Sequence, residues 1–126
     1  MHKIESDIEV LSSSIFAYAM ERLRMDPPTI DHPLPQTTLE ALAGQTITDD
    51  GLGGQKALEL FVDTLAPACI SEDHPRYLAF VPTAPSEVST LFDLVVGASN
   101  ICASSWLEGA GAIYAENQAL RWISDI

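Results

Sequence analysis

The sequence predicts a mainly α-helical chain, and three observations support this prediction. Residues 5–25 place apolar side chains at spacings of three and four, which builds one stripe along a helix. Residues 85–103 are so apolar that they predict a helix buried on all sides, which needs more protein around it than this chain readily supplies. The apolar run 77–81 has no second strand-like segment beside it, so it is either a loop or a strand whose partner lies outside the chain.

The remaining elements follow from turn and capping residues. Residues 26–38 are rich in proline and predict an extended connector. We expect a short helix from Thr38, as its cap, to Ala43, ended by Gly44. A further helix is predicted over 55–70, and Pro67 should bend or end it.

The C-terminal part is predicted as a loop at 109–111 followed by a helix from about Ala112. The apolar repeat of this helix continues to Ile126 without a glycine, a proline or a cationic last turn, so we expect the natural sequence to continue. Trp106 and Trp122 are interpreted as core residues.

The composition restricts the possible functions. The 126 residues have a formal net charge of −12, which argues against binding to nucleic acids or to anionic membrane surfaces. No apolar run is long enough to span a bilayer, and the N-terminus lacks the apolar core of a signal peptide. Cys69 and Cys102 are interpreted as buried, reduced thiols. Together these features predict a cytoplasmic protein.

No catalytic signature is complete in the chain. His2, His32 and His74 are scattered and predict no metal site, and two of them precede proline, which favours a role in turns. Ser104 and Ser105 lie near Cys102 without a histidine to activate a nucleophile, which argues against a hydrolase. Glu108 and Glu116 are interpreted as solvated or capping groups rather than an acid–base pair.

An ordered set of motifs nevertheless occurs between residues 74 and 122. It comprises His74-Pro75, the aromatic-rich stretch 77–80, Pro82-Thr83-Ala84, a helix bearing Asp93, Ser105-Trp106, and Trp122. In this order and spacing the motifs resemble the group II pyridoxal-phosphate decarboxylases, which act on aromatic amino acids, histidine, tyrosine or glutamate. The resemblance is clear after residue 70 and weaker before it. The chain departs from the family pattern at Ala110 and at Ile113-Tyr114, where proline and Thr-Glu are common.

The resemblance implies a fold-type-I pyridoxal-phosphate enzyme, an α/β protein, of which this chain would be the mainly α-helical beginning. Residues 1–73, with the connector 26–38, would form a helical lobe that lies across the partner subunit of an obligate homodimer. Residues 74–126 would begin the catalytic domain. The family's chemistry is the decarboxylation of an amino acid on pyridoxal 5'-phosphate, which makes it a carboxy-lyase.

The resemblance also implies where the substrate pocket lies. Its lining would come from the loop of Phe80, Val81, Pro82 and Thr83 and, at the dimer interface, from Cys102 and Ser104. Thr83 would bind the cofactor phosphate or a polar group of the substrate, because a hydroxyl can donate to either. Val81 and Ser104 stand where enzymes for aromatic substrates carry aromatic or bulky residues, which argues against an aromatic substrate.

The resemblance places no catalytic residue in this segment. The family binds its cofactor covalently through a lysine in its later sequence, and neither Lys3 nor Lys56 lies in a matching motif. We therefore expect the chain to be inactive alone. The alternative from another class is a free-standing, all-helical module that oligomerises through its apolar helices.

Overall fold

The computed structural model describes residues 7–25, 32–47, 49–81 and 83–126, and these residues form helices and turns without a strand. The helices are α1 (Ile8–Arg24), α2 (Gln36–Ala43), α3 (Gly54–Leu60), α4 (Glu87–Ser99) and α5 (Trp106–Ser124). A π-helical turn, Phe61–Leu65, continues α3. The prediction of a mainly α-helical segment is therefore confirmed for the described residues.

The described chain divides into two compact units, Met1–Pro85 and Ser86–Ile126. The division falls between the loop that is predicted to line the substrate pocket and the apolar helix α4. The predicted boundary between a lobe of 1–73 and a catalytic part of 74–126 concerns the arrangement of a larger protein, and it stays a prediction.

In the first unit, α1 contacts α3, and α2 contacts the π-helical turn. The aromatic rings of Tyr18 and Phe61 meet edge to face, with centroids 6.0 Å apart and planes at 83°. Gly54 begins α3 against the side chain of Leu11, where a larger residue would collide with the Leu11 methyl groups. These contacts join α1 to α3 and to the π-helical turn that continues it, mainly through side chains that remain partly exposed.

The helix ends agree with the sequence where a special residue determines them. Gly44 ends α2 with φ 63°, a conformation that glycine adopts readily. Pro67 has no N–H to donate, and its ring would clash with the backbone carbonyl four residues earlier, so it cannot continue a helix. The helix widens into the π-helical turn and ends at Leu65, before this proline. Ser86 caps α4 by accepting a hydrogen bond from the Ser89 N–H at 3.2 Å.

Three predicted boundaries are wrong. Thr38 does not cap α2, because the helix begins two residues earlier and the Thr38 N–H donates to the Pro35 carbonyl inside its first turn. The helix α4 ends at Asn100, which adopts a left-handed conformation that asparagine tolerates, rather than near Ala103. The predicted loop at 109–111 lies within α5, where only Gly109 departs from helical geometry.

Burial differs most from the sequence prediction. No hydrophobic side chain among the described residues is buried. The large apolar side chains of α4 are all more than 40% exposed, from Leu91 at 41% to Leu94 at 67%. Trp106 and Trp122 are also exposed, as are the free thiols of Cys69 and Cys102, so the predicted core positions are not buried within this chain.

The backbone of residues 102 and 103 approaches Gly109 so closely that there is no room for a Cβ atom. A Cβ atom at Gly109 would lie 2.6 Å from the Cys102 carbonyl oxygen and 2.8 Å from the Ala103 Cα, whereas a Cβ at Gly111 would meet nothing within 4 Å. The two glycines of one helix therefore provide a matched pair for mutagenesis.

We predict that Gly109→Ala lowers the free energy of unfolding by about 1–3 kcal/mol, because the backbone must shift to remove the collision. Gly111→Ala should instead be neutral or stabilising by up to about 1 kcal/mol, since alanine favours helix more than glycine. Urea denaturation of the natural protein that contains this chain measures both values. Equal stability of the two variants would contradict the proposed close approach.

Candidate functional site

The predicted substrate loop follows a tight turn, residues 71–77, that is held by three hydrogen bonds. The His74 N–H donates to the Ser71 carbonyl at 3.1 Å, and the Tyr77 N–H donates to the His74 carbonyl at 2.8 Å. The Arg76 N–H donates to Nδ1 of His74 at 3.1 Å. His74 therefore shapes the turn through both its backbone and its ring, which confirms its predicted role in a turn.

Beyond this turn the loop is open to solvent. Phe80 and Val81 are 90% and 95% exposed, and Thr83 is exposed. Phe80 has φ 59°, in the left-handed region that an aromatic residue adopts only at a conformational cost. Pro82, the fourth predicted loop residue, lies outside the described residues.

An ion pair joins the turn to the end of α1. The Arg22 guanidinium donates to Oδ1 of Asp73 at 2.7 Å, with side chains that are 35% and 15% exposed. The hydrogen bond from Arg22 holds the pKa of the Asp73 carboxyl below its ordinary value of 3.8, against the opposing effect of partial burial. The Asp73 carboxylate is therefore ionised at neutral pH and bound to a helix 51 residues away in sequence.

Next to this ion pair lies an open cleft of about 590 Å³ in the first unit. The cleft is lined by Thr83, Ala84 and Pro85, by residues of the turn, and by the end of α1 at Arg22, Leu23 and Met25. Thr83 thus lies near both partners of the ion pair, which the sequence did not predict.

The cleft does not fit pyridoxal phosphate by itself. A phosphate requires cationic or N–H donors, but the Arg22 guanidinium already binds Asp73, and the carboxyl groups of Glu72 and Asp73 would repel a phosphate. Among the described residues no lysine lines this cleft, and Lys56 lines a different one beside Leu52 and Gly53. The part that these residues could contribute to a cofactor site is the Thr83 hydroxyl.

The other two predicted site residues form a hydrogen-bonded cluster in the second unit, before α5. Sγ of Cys102 lies 3.1 Å from Oγ of Ser104, and Ser104 donates to Oε2 of Glu108 at 3.0 Å. Ser105 donates to the same carboxylate oxygen at 2.7 Å. The hydrogen bonds from Ser105 and Ser104 lower the pKa of the Glu108 carboxyl.

The cluster has the chemistry of a helix start rather than of a nucleophile. Ser105 is the residue before α5 and Glu108 the third residue within it, the spacing of a capping box. Ser104 has one hydroxyl proton, which it donates to Glu108, so the thiol of Cys102 is left to donate to Ser104. No histidine takes part in these hydrogen bonds. The predicted capping role of Glu108 is not seen, because its carboxylate accepts from serine hydroxyls and no side chain caps the backbone of α5.

The predicted site residues therefore lie in two groups. Phe80, Val81 and Thr83 belong to the first unit, and Cys102 and Ser104 belong to the second. The sequence did not predict that Arg22 and Asp73 lie at the site, because no motif connects these two residues. It could have predicted the pair of Ser105 and Glu108, since these residues have the spacing of a capping box.

The described residues contain neither a cluster of metal ligands nor a membrane-spanning helix. No three side chains of His, Cys, Asp or Glu lie close enough together there to hold a metal ion. None of the helices that these residues form combines the length and the hydrophobicity needed to cross a membrane.

The sequence is similar to a decarboxylase. It is 26% identical over 109 residues to an aromatic-L-amino-acid decarboxylase of Bacillus atrophaeus, an alignment that covers 85% of this chain. The aligned part is 22% of the length of that relative, so the chain spans about a fifth of the decarboxylase it matches. No protein-family model matches the sequence, and no solved structure matches the chain. The similarity supports a relationship to part of a decarboxylase.

The ion pair predicts a pH dependence of stability. Because the pKa of Asp73 is lowered in the folded chain, its stabilising effect is present above the ordinary pKa of 3.8 and is lost as the pH falls through the lowered value. We expect this contribution to be at most about 1 kcal/mol, since Arg22 is partly exposed and solvent screens the pair.

Urea unfolding of the natural protein and of Asp73→Asn at pH 7 and near pH 2 measures this contribution. The variant should be less stable than the natural protein at pH 7 and equal to it near pH 2. A difference that persists at the lower pH would mean that the effect of Asp73 is not electrostatic.

Proposed function

We propose that this chain is the N-terminal part of a larger group II pyridoxal-phosphate-dependent amino-acid decarboxylase. In that enzyme it provides dimer contacts and part of the substrate pocket, and it is inactive alone. The observation that carries the proposal is the similarity to a decarboxylase, which covers 85% of this chain and 22% of the relative. The ordered motifs from His74-Pro75 to Trp122 support the same conclusion.

The exposed apolar surface supports a larger assembly. Burial of one large aliphatic or aromatic side chain contributes about 1.5–3 kcal/mol, and α4 alone exposes several of them, including Val88, Phe92 and Leu94. Such a helix is stable inside a larger protein. In the proposed enzyme the remainder of the catalytic domain and the partner subunit of a homodimer cover this surface, and residues 1–73 form the lobe that crosses to the partner.

The chemical groups of this chain determine which roles it has in the proposed enzyme and which roles belong to the cofactor or to the rest of the protein. Pyridoxal phosphate supplies the electron sink for loss of carbon dioxide, and the lysine that binds it covalently belongs to the part of the enzyme beyond this chain. The loop of Phe80, Val81, Pro82 and Thr83 lines the substrate pocket of the proposed enzyme. Cys102 and Ser104 line that pocket from the dimer interface. The Thr83 hydroxyl donates to the cofactor phosphate or to a polar group of the substrate.

The substrate in this proposal is a small amino acid, and the enzyme works in the cytoplasm. The relative's name specifies aromatic L-amino acids as its substrates. In this chain Val81 is aliphatic and Ser104 is small, which favours a substrate without an aromatic ring.

A second candidate function is a free-standing helical module that oligomerises through its apolar helices. The observation that favours it is the exposure of apolar side chains on both units, such as Phe16 at 51% and Trp122 at 68%. Oligomerisation could cover this surface without any further domain.

Purification of the natural protein from its source distinguishes the two functions. We expect an intact mass several times 13.6 kDa, an absorbance band of pyridoxal phosphate bound to lysine, and release of carbon dioxide from one of a panel of amino acids. A mass of 13.6 kDa without the absorbance band would exclude the decarboxylase and favour the helical module.

The role of Thr83 has its own test in the active enzyme. Thr83→Ala should lower kcat/KM about tenfold or more, because a hydrogen bond to a charged group contributes about 1.5–3 kcal/mol. Thr37→Ala, at an exposed position of α2, is the matched control and should leave the kinetics unchanged. Equal kinetics of the two variants would remove Thr83 from the site.

A further inference from the structure

The ion pair between Arg22 and Asp73 connects the predicted substrate loop to a distant helix. Arg22 belongs to the last turn of α1, and Asp73 belongs to the turn 71–77 that precedes the loop. Their N–O distance of 2.7 Å allows a charge-assisted hydrogen bond, and Asp73 is only 15% exposed. An ion pair in this position limits the motion of the turn relative to α1.

The turn transmits this restraint because it is internally bonded. The hydrogen bonds that His74 makes with Ser71, Arg76 and Tyr77 connect both sides of Asp73. A turn held in this way moves as one piece, so a contact at Asp73 restrains Tyr77 as well. The chain reaches Phe80 only three residues later.

Phe80 has a backbone conformation that requires restraint. With φ 59° it lies in the left-handed region, which costs a non-glycine residue free energy and persists when neighbouring structure holds it. The Phe80 side chain is 90% exposed, so within this chain it does not itself restrain this backbone conformation. The nearest segment before Phe80 that is held by a contact to another helix is the turn 71–77, which Arg22 binds through Asp73.

We propose that the Arg22–Asp73 ion pair is a positioning contact, which fixes the turn 71–77 on α1 and thereby sets the path of the chain through Phe80, Val81 and Thr83. That these residues line a substrate pocket rests on the proposed function. The fixing of the turn does not rest on it. Arg22 and Asp73 touch no reacting group in this proposal, and they act through the position of the loop.

Hydrogen exchange of the natural full-length protein tests the contact directly. Asp73→Asn keeps the shape of the side chain and removes its charge. We expect the amides of His74, Arg76 and Tyr77 to exchange about three- to fivefold faster in this variant, because a partly exposed ion pair contributes modestly to local stability. Asp63→Asn, the same change at an exposed carboxylate of the π-helical turn, is the matched control and should leave these rates unchanged.

Compensating variants separate positioning from a general loss of stability. The double variant Arg22→Asp with Asp73→Arg restores the ion pair with its charges exchanged, and it should return the exchange rates toward those of the natural protein. Arg22→Lys should give an intermediate rate, since lysine keeps the charge but loses the forked geometry. If Asp73→Asn does not fold, Arg22→Lys alone still decides whether the exchange rates depend on the pair.

Enzyme kinetics provide the second readout. In an active decarboxylase, Asp73→Asn should raise KM for the amino acid about threefold or more and leave the absorbance of the bound cofactor unchanged. The charge-exchanged double variant should recover the original KM. A KM equal to that of Asp63→Asn would overturn the effect on the substrate loop.

The two proposals fail in different ways. A natural protein without bound pyridoxal phosphate and without decarboxylation contradicts the proposed function, while the exchange rates still decide whether the ion pair holds the turn. Exchange that is equally fast in Asp73→Asn and Asp63→Asn overturns the positioning contact, whether or not the enzyme is active.

Discussion

Exposure of apolar side chains to water is unfavourable, and this constraint determines in which surroundings the helices of this chain are stable. The helix α4 has apolar residues around most of its circumference, and all its large apolar side chains are more than 40% exposed. Returning such side chains to an apolar environment contributes on the order of 10 kcal/mol in total, which is comparable to the whole stability of a small domain. The helices of this chain therefore need further protein around them. The proposed decarboxylase and the alternative oligomeric module are two ways of meeting that need.

Local hydrogen bonds define much of the structure in the absence of a buried core. Ser86 caps α4, Ser105 and Glu108 meet at the start of α5, and His74 closes the turn before the predicted loop. Each of these contacts joins residues that are close in sequence, so it forms at a small cost in chain entropy. The Arg22–Asp73 ion pair differs because it joins residues 51 positions apart and so relates a loop to a helix. It is the kind of contact that can give a solvent-exposed loop a defined position.

The predicted pocket residues illustrate how function can depend on assembly. Thr83 belongs to one compact unit and Cys102 and Ser104 to the other, and no lysine accompanies Thr83 in its cleft. The decarboxylase that the chain resembles in sequence is several times longer, since the alignment covers 22% of it. In the proposed enzyme the chain lines part of the substrate pocket and positions the substrate loop. The covalent attachment of the cofactor and the proton transfers belong to residues elsewhere. The presence of hydroxyls and a thiol without an activating base is consistent with that division.

The sequence by itself determined the features that depend on near neighbours. Apolar periodicity predicted α1, and Gly44 and Pro67 predicted helix ends, because each effect arises within a few residues of its cause. The tertiary structure decided what depends on distant contacts. Gly109 has no Cβ and so permits the close approach of the Cys102 and Ala103 backbone, and the predicted loop at 109–111 is reduced to a kink at Gly109 within α5. The pairing of Arg22 with Asp73 and the exposure of Trp106 and Trp122 follow from which surfaces meet in space, and the linear pattern of residues does not contain that information.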